Sequence, residues 1–467
     1  MNWINRSSRL LLLFLLVISP IAAQESSDEQ NDDQNTNEQM ETGAPEAGFN
    51  MTIEIGAETF NEDGEQVTYQ RLGLNPEFTF GKVGVGLGVT LHYRFVDDQG
   101  ESTLDIREED WIPNGDNSFL DIYLPLFRYV RYGQKGDPLY GKIGSIEDAT
   151  LGTGFIMANY SNALFLPEKR IVGLALDVDG QLVGFPYLGI ETFVGNLANL
   201  DVLGSRVYVR PLIDTGIPII KNLQLGVTAA ADTQPDANYD FYDETGTETI
   251  DPDAVSMFSF DFIQPLLSSQ AFSMSLYSDA AFQPQPGGDE LSQGLLVGMG
   301  GEALSFLSYG LNSLFLGDNF VPFYFDGTYD LYRQKKYEIY DGTKSVSGYA
   351  GWQAMLGFNL LSDSLVFQSS LGAAFDADPD SPSTMPHLRS TLKVGEGLLP
   401  GIFFDVTYDK KNISNIDELF SPEDAVVLAN LNYKTGPAVI TLGYTLRYKP
   451  ETGSWETTAK LSSSITM

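Results

Sequence analysis

Few side chains in this sequence are equipped for bond-making chemistry. The chain has 467 residues, two histidines (His92 and His387) and no cysteine. Without a thiolate there is no cysteine nucleophile, no sulfur ligand for a metal, no disulfide framework and no lipid-bearing cysteine. Serine hydrolysis needs a histidine base beside the nucleophile. His92 and His387 stand nearly 300 residues apart, and no Gly-x-Ser-x-Gly elbow accompanies either. An enzyme is therefore not expected. The run Asp177-Val178-Asp179-Gly180 resembles a fragment of a calcium loop but lacks the spacing and terminal glutamate of one. Asp179-Gly180 reads more simply as a hairpin turn. No cofactor and no dedicated metal site are expected, although acidic loops would hold divalent cations loosely at the surface.

Charge is the more informative chemistry. Sixty-three acidic residues face 27 basic ones, for a formal net charge of −36. Nucleic acid is excluded as a partner, because phosphate binding needs a basic surface. Against that background Arg128, Arg131, Lys135, Lys142 and Arg170 gather in one stretch, with Arg206 and Arg210 soon after and Asp137, Glu147 and Asp148 among them. Two arrangements fit these residue types. Projecting into a lumen, they would set a transverse field that sorts solutes by charge. Paired with one another, they would tie a loop to a wall. Arg131 is the first to test, since Tyr129, Arg131 and Gly133 share one strand face and Tyr132 the other. They surround the most irregular part of the chain, residues 148–167, where Gly152, Gly154, Asn159, Ser161 and Asn162 mix with Phe155, Ile156, Met157, Tyr160, Leu164, Phe165 and Leu166. Such a segment either packs on its own rim or folds inward.

The elements that must position these charges follow from a period of two. Val83, Val85, Leu87, Val89, Leu91, Tyr93 and Phe95 alternate with Lys82, Gly84, Gly86, Gly88, Thr90, His92 and Arg94. Alternation of this kind sends one set to each face of a strand. The pattern returns at 51–59, 258–262, 272–282, 365–375, 388–394, 402–408 and 440–448. Several runs reach ten to fourteen residues. Soluble strands average ~5 to 6, and a tilted membrane-crossing strand needs ~9 to 11. Tyr93, Phe95, Tyr408, Tyr433 and Tyr448 lie at the ends of apolar faces, where interfacial aromatic girdles belong. The fold class expected is all-β: a transmembrane, antiparallel, up-and-down β-barrel of roughly 16 to 20 strands. A soluble all-β protein would also alternate.

Short links at 361–364, 434–437 and 450–454 and long polar ones at 97–117, 232–253, 334–344, 376–386 and 410–424 suggest one rim of turns and one of loops. Ahead of the strands, Arg6 and Arg9 precede the apolar run 10–18, and Ala22 and Ala23 offer a cleavage site. Residues 1–23 thus read as a signal peptide, too short in its apolar part for a span of ~20. Residues 24–48 carry eight acids and no base, and read as a disordered linker. The barrel is assigned residues 49–467.

The last strand places Trp455, Thr457, Ala459, Leu461, Ser463, Ile465 and Met467 on one face and runs to the chain end. Here the sequence resembles bacterial outer-membrane porins and porin-like barrels, whose final strand carries its apolar face to the terminus and acts as the assembly signal. Those families end in an aromatic residue; this chain has Met467. The resemblance is architectural and covers residues 49–467. It implies an outer-membrane location in contact with lipid, passage of small polar solutes, and an inward-folded segment at 148–167 that narrows the channel. It also implies a homotrimer as one arrangement. The acidic balance favours cations. A non-conducting surface barrel, such as an adhesin, is the alternative.

Overall fold

The computed structural model describes residues 48–466 except 63–64, 99–100, 114–118, 165–170, 238–250, 270, 287–290, 362–363, 379–383, 422 and 450–453. The signal peptide, the linker up to residue 47, Arg170 and Met467 lie outside the described residues.

Alternation becomes two-faced strands. In Val255–Ser268 the side chains of Ser259 and Asp261 are buried on one face, while Phe260 on the other is 54% exposed. In Leu291–Ala303, Leu295, Val297 and Met299 are exposed, whereas Gly294, Leu296 and Gly298 are turned away from solvent. Large apolar side chains left exposed in this regular way are stable against hydrocarbon, not water.

Twenty-two strands form one antiparallel sheet in which most are paired with their neighbours in the chain. The sheet closes because the first strand, Gly48–Glu62, pairs with the last, Ser454–Thr466, from Thr52↔Thr466 to Ile55↔Ser463. Closure leaves no free edge around the ring. Two places are each filled by two strands end to end. Val83–Leu87 and Val89–Asp98 share one, and Glu101–Ile106 and Phe127–Tyr132 share the next. The 22 strands thus fill twenty places, the upper end of the expected range.

Both ends of the ring reach the same rim. That rim carries the tight turns at 81–82, 304–306, 361–364, 400–401 and 436–437. The opposite rim carries the long connections 145–172, 233–254, 317–348, 375–386 and 411–424. Three links differ from expectation. Lys449 and Ser454, which flank the short 450–453 link, lie at the long-loop rim. The 97–117 stretch is not one loop, because Thr103 and Leu104 pair back onto Val96 and Phe95 before the chain leaves the wall through a 3-10 turn at Glu108–Asp110. The 334–344 stretch is mostly helix, α1 (Tyr329–Tyr340), with Tyr329, Arg333, Tyr337 and Tyr340 buried at helical spacing. The main apolar cluster lies inside the ring and joins inner-wall side chains to Phe155, Ile156, Met157, Tyr160, Phe320, Tyr324 and Tyr329.

Candidate functional site

The inward segment begins where Leu139–Gly144 stops. Gly144 has φ 130°, and any side chain there would collide with the Arg128 carbonyl. Ser145 then donates its N–H to that carbonyl at 3.0 Å, and the chain turns off the wall. Asn162 fixes both ends of the excursion: its Oδ1 accepts from Ile146 N at 2.8 Å and its Nδ2 donates to Gly195 O at 2.9 Å. Met157–Ala158 pairs in parallel with Phe325–Asp326, joining this segment to the 317–348 connection. The wall makes room for both. A Cβ on Gly204 would lie 2.6 Å from Leu151 Cδ1, and one on Gly294 would lie 2.5 Å from Phe320 Cε1.

A polar layer lies beneath the apolar one. Arg206, 1% exposed, donates to both oxygens of Asp261 at 2.9 and 2.6 Å and to Glu191 at 2.9 Å. Gly152 N donates to the same Glu191 at 3.2 Å, and Thr153 Oγ1 to Asp279 at 2.6 Å. The bidentate pair satisfies a guanidinium that could not otherwise be buried.

Helix α1 crosses the loop-side mouth. On one face Arg333 binds Asp232 through Nε and Nη2 at 2.6 and 2.7 Å and reaches Asp201 at 3.4 Å. Tyr329 donates to Asp232 at 2.6 Å and Tyr160 to Asp330 at 3.2 Å. Burial pushes the Asp330 carboxyl up to about 6, against the pull of Arg333. Burial also raises Asp201, again opposed by Arg333. Burial would raise Asp326 too, yet Lys336 Nζ at 2.8 Å and Thr328 hold it below the ordinary range. On the other face Lys411 lies 4.7 Å from the centre of the Tyr332 ring. Lys411 follows Ile402–Lys410, eight places around the ring of twenty from Gln224–Asp232, which carries Asp232. The helix therefore straps the mouth between nearly opposite walls.

The charged residues singled out in the sequence divide. Lys135 pairs with Asp177 at 3.2 Å, Asp137 with Lys82 at 3.3 Å, and Arg210 donates Nη1 to Asp179 at 3.0 Å. A hydrogen bond from Gln134 N, then one from Lys82, holds Asp137 below its ordinary value. With Arg206, these are ties within the wall. Arg128 is the extra residue of a β-bulge opposite Gly86 and Leu87. Arg131 and Lys142 are cross-strand partners, one reaching Gln134 at 2.6 Å and the other the Tyr129 ring at 5.9 Å. Neither has an ion-pair partner among the described residues. Glu147 and Asp148 are exposed on the inward segment. His92 and His387 each meet a carboxylate, Asp110 at 2.7 Å and Asp409 at 3.0 Å. Asp179 caps the 3-10 turn that follows it, accepting from Gln181 N at 2.9 Å. Sequence reasoning passed over Glu191, Asp232, Asp261, Asp279 and Arg333. Asp261 and Asp279 were legible as acids on inward positions of apolar strands; Arg333 was legible only from the tyrosine spacing of α1.

No family model and no curated protein matches the sequence. Among solved structures, the chain is similar to Pseudomonas aeruginosa OpdK with vanillate, at 11% identity and a TM-score of 0.34, covering 90% of this chain and 98% of that one. It is also similar to P. aeruginosa OpdL, at 9% identity and a TM-score of 0.32 over 90% and 98%. CdiB from Acinetobacter baumannii matches at 7% identity and a TM-score of 0.25 over 90% and 60%.

Proposed function

We propose that this chain is an outer-membrane channel through which small hydrophilic solutes diffuse. One observation carries the reading: inside a closed ring with an apolar exterior, the inner wall away from the inserted loops stays polar and open. Along His387–Leu399 the inward side chains of His387 and Arg389 are 45% and 39% exposed, and Lys393 is exposed. A passage there would be eccentric, bounded by this wall and by the loops that fill the other half. Lumen width would exclude by size, and the unpaired Arg131 and Lys142, with Glu147 and Asp148 on the inserted segment, would sort by charge.

A second reading has its own support. The apolar packing of Phe155, Met157, Tyr324 and Tyr329 fills enough of the lumen to suit a closed barrel whose loops carry the function. Planar-bilayer recording of purified protein separates the two. Discrete conductance steps are expected; their absence in correctly folded protein overturns the channel.

A further inference from the structure

Every other basic side chain on α1 is neutralised by a carboxylate. Arg333 is held by Asp232 and Lys336 by Asp326. On the facing wall His387 and Arg389 share Asp409. Lys335 and Lys411 have no such partner. Both point at one ring, with Nζ atoms 5.9 and 4.7 Å from the centre of Tyr332. Both are exposed, and neither has a carboxylate at ion-pair distance among the described residues. In a chain of charge −36 this is an unusual place to leave two cations unmatched. An aromatic ring offers each ammonium about 0.5–1 kcal/mol when exposed, but it supplies no counter-charge. A bound anion would supply one to both. The acid close enough to act on Lys411, Asp409, is already engaged by His387 and Arg389.

We propose that Lys335, Lys411 and Tyr332 form a binding site for a small oxyanion, a carboxylate or a phosphate, at the loop-side mouth. The two ammonium groups would grip the oxygens from two elements, α1 and the connection after Ile402–Lys410, so an anion would also clamp the strap to the far wall. Tyr332 positions the lysines. The site would concentrate anionic solutes at an entrance whose surroundings otherwise repel them. Its purpose rests on the channel reading; its existence does not.

The test is a calorimetric titration of the full chain in detergent micelles, with sodium benzoate in one arm and inorganic phosphate in the other. One saturable site is expected for at least one anion, and the arm that binds names the group. In the double variant K335Q/K411Q, with heat-modifiable migration confirming the barrel, affinity should fall at least about tenfold; Y332F should stay within a few-fold of native. Unchanged affinity in the double variant, or no binding of either anion to the native chain, overturns the site. Bilayer conductance is measured separately, so a channel without anion binding and an anion binder without conductance are distinct results.

Discussion

Arg333 and Arg206 face the same physical problem at two depths, each a guanidinium about 1% exposed that must find its carboxylates inside the barrel. Removing such a group leaves the acids buried and uncompensated, which typically costs 3–5 kcal/mol. Arg333→Ala leaves Asp201, Asp232 and Asp330 facing one another, so α1 should undock while the strand ring survives. The expected result is rapid trypsin cleavage after Lys335 or Lys336 in a protein that still migrates as a heat-modifiable barrel; resistance equal to the native chain would count against this role. Packing is equally exact at Gly294, where an added methyl would lie 2.5 Å from the Phe320 ring. Overpacking of this kind costs about 1–3 kcal/mol, so Gly294→Ala should lower the thermal midpoint of the loop transition by several degrees, measured by near-ultraviolet circular dichroism.

Among the elements, α1 is the one whose attachment should depend on pH. The Asp330 carboxyl titrates near 6 in the folded chain because burial disfavours its charge, with Asp201 and Asp232 opposing ionisation and Arg333 favouring it. Undocked in water it would return to the ordinary value of 3.8. Protonation therefore favours docking: the added stability is complete below about pH 4 and is lost as pH rises through about 6, on the order of 3 kcal/mol across that window. The protection factors of the α1 amides, corrected for the intrinsic pH dependence of exchange, should fall over this range in the native chain and stay flat in Asp330→Asn. An equal slope in both would place the titration elsewhere. This helix also marks the limit of sequence reading. The strands were legible because a period of two is imposed directly by the two faces of a wall. The inserted loops obey a different environment, enclosed on every side, and the 334–344 stretch reads as a polar link until Asp232 and Arg333 are brought together from 101 residues apart. Of the candidate charges, the sequence located the cluster but could not divide it into wall ties such as Arg206 and Arg210 and unmatched groups such as Arg131 and Lys142, because cross-strand register decides that.

At the scale of the whole molecule, the wall is uneven. Leu139–Gly144, Gly173–Asp179, Leu188–Val194 and Val202–Val209 are only six to eight residues long. A tilted strand needs ~9 to 11 to cross the hydrocarbon, and elsewhere Val255–Ser268 and Leu291–Ala303 run to 14 and 13. The outward residues within these four strands, Leu176, Ile190, Val207 and Val209 among them, are aliphatic, with Phe185 and Tyr187 exposed at the turn beside them. The tall wall instead exposes Phe260, Phe262 and Phe315. Strands this short do not cross the hydrocarbon unaided, so we propose that a neighbouring copy covers the low sector, as it would in the homotrimer that the porin resemblance implies. The chain has no cysteine, so a single introduced one reports cleanly. Val207→Cys, on the low sector, should give cross-linked oligomers with a long bis-maleimide in native membranes, while Leu356→Cys, on the tall wall, should not. No cross-link at Val207 in a folded barrel would mean that lipid covers the low sector and that the bilayer thins to meet it; equal cross-linking at both positions would mean that copies meet without preference for the low sector.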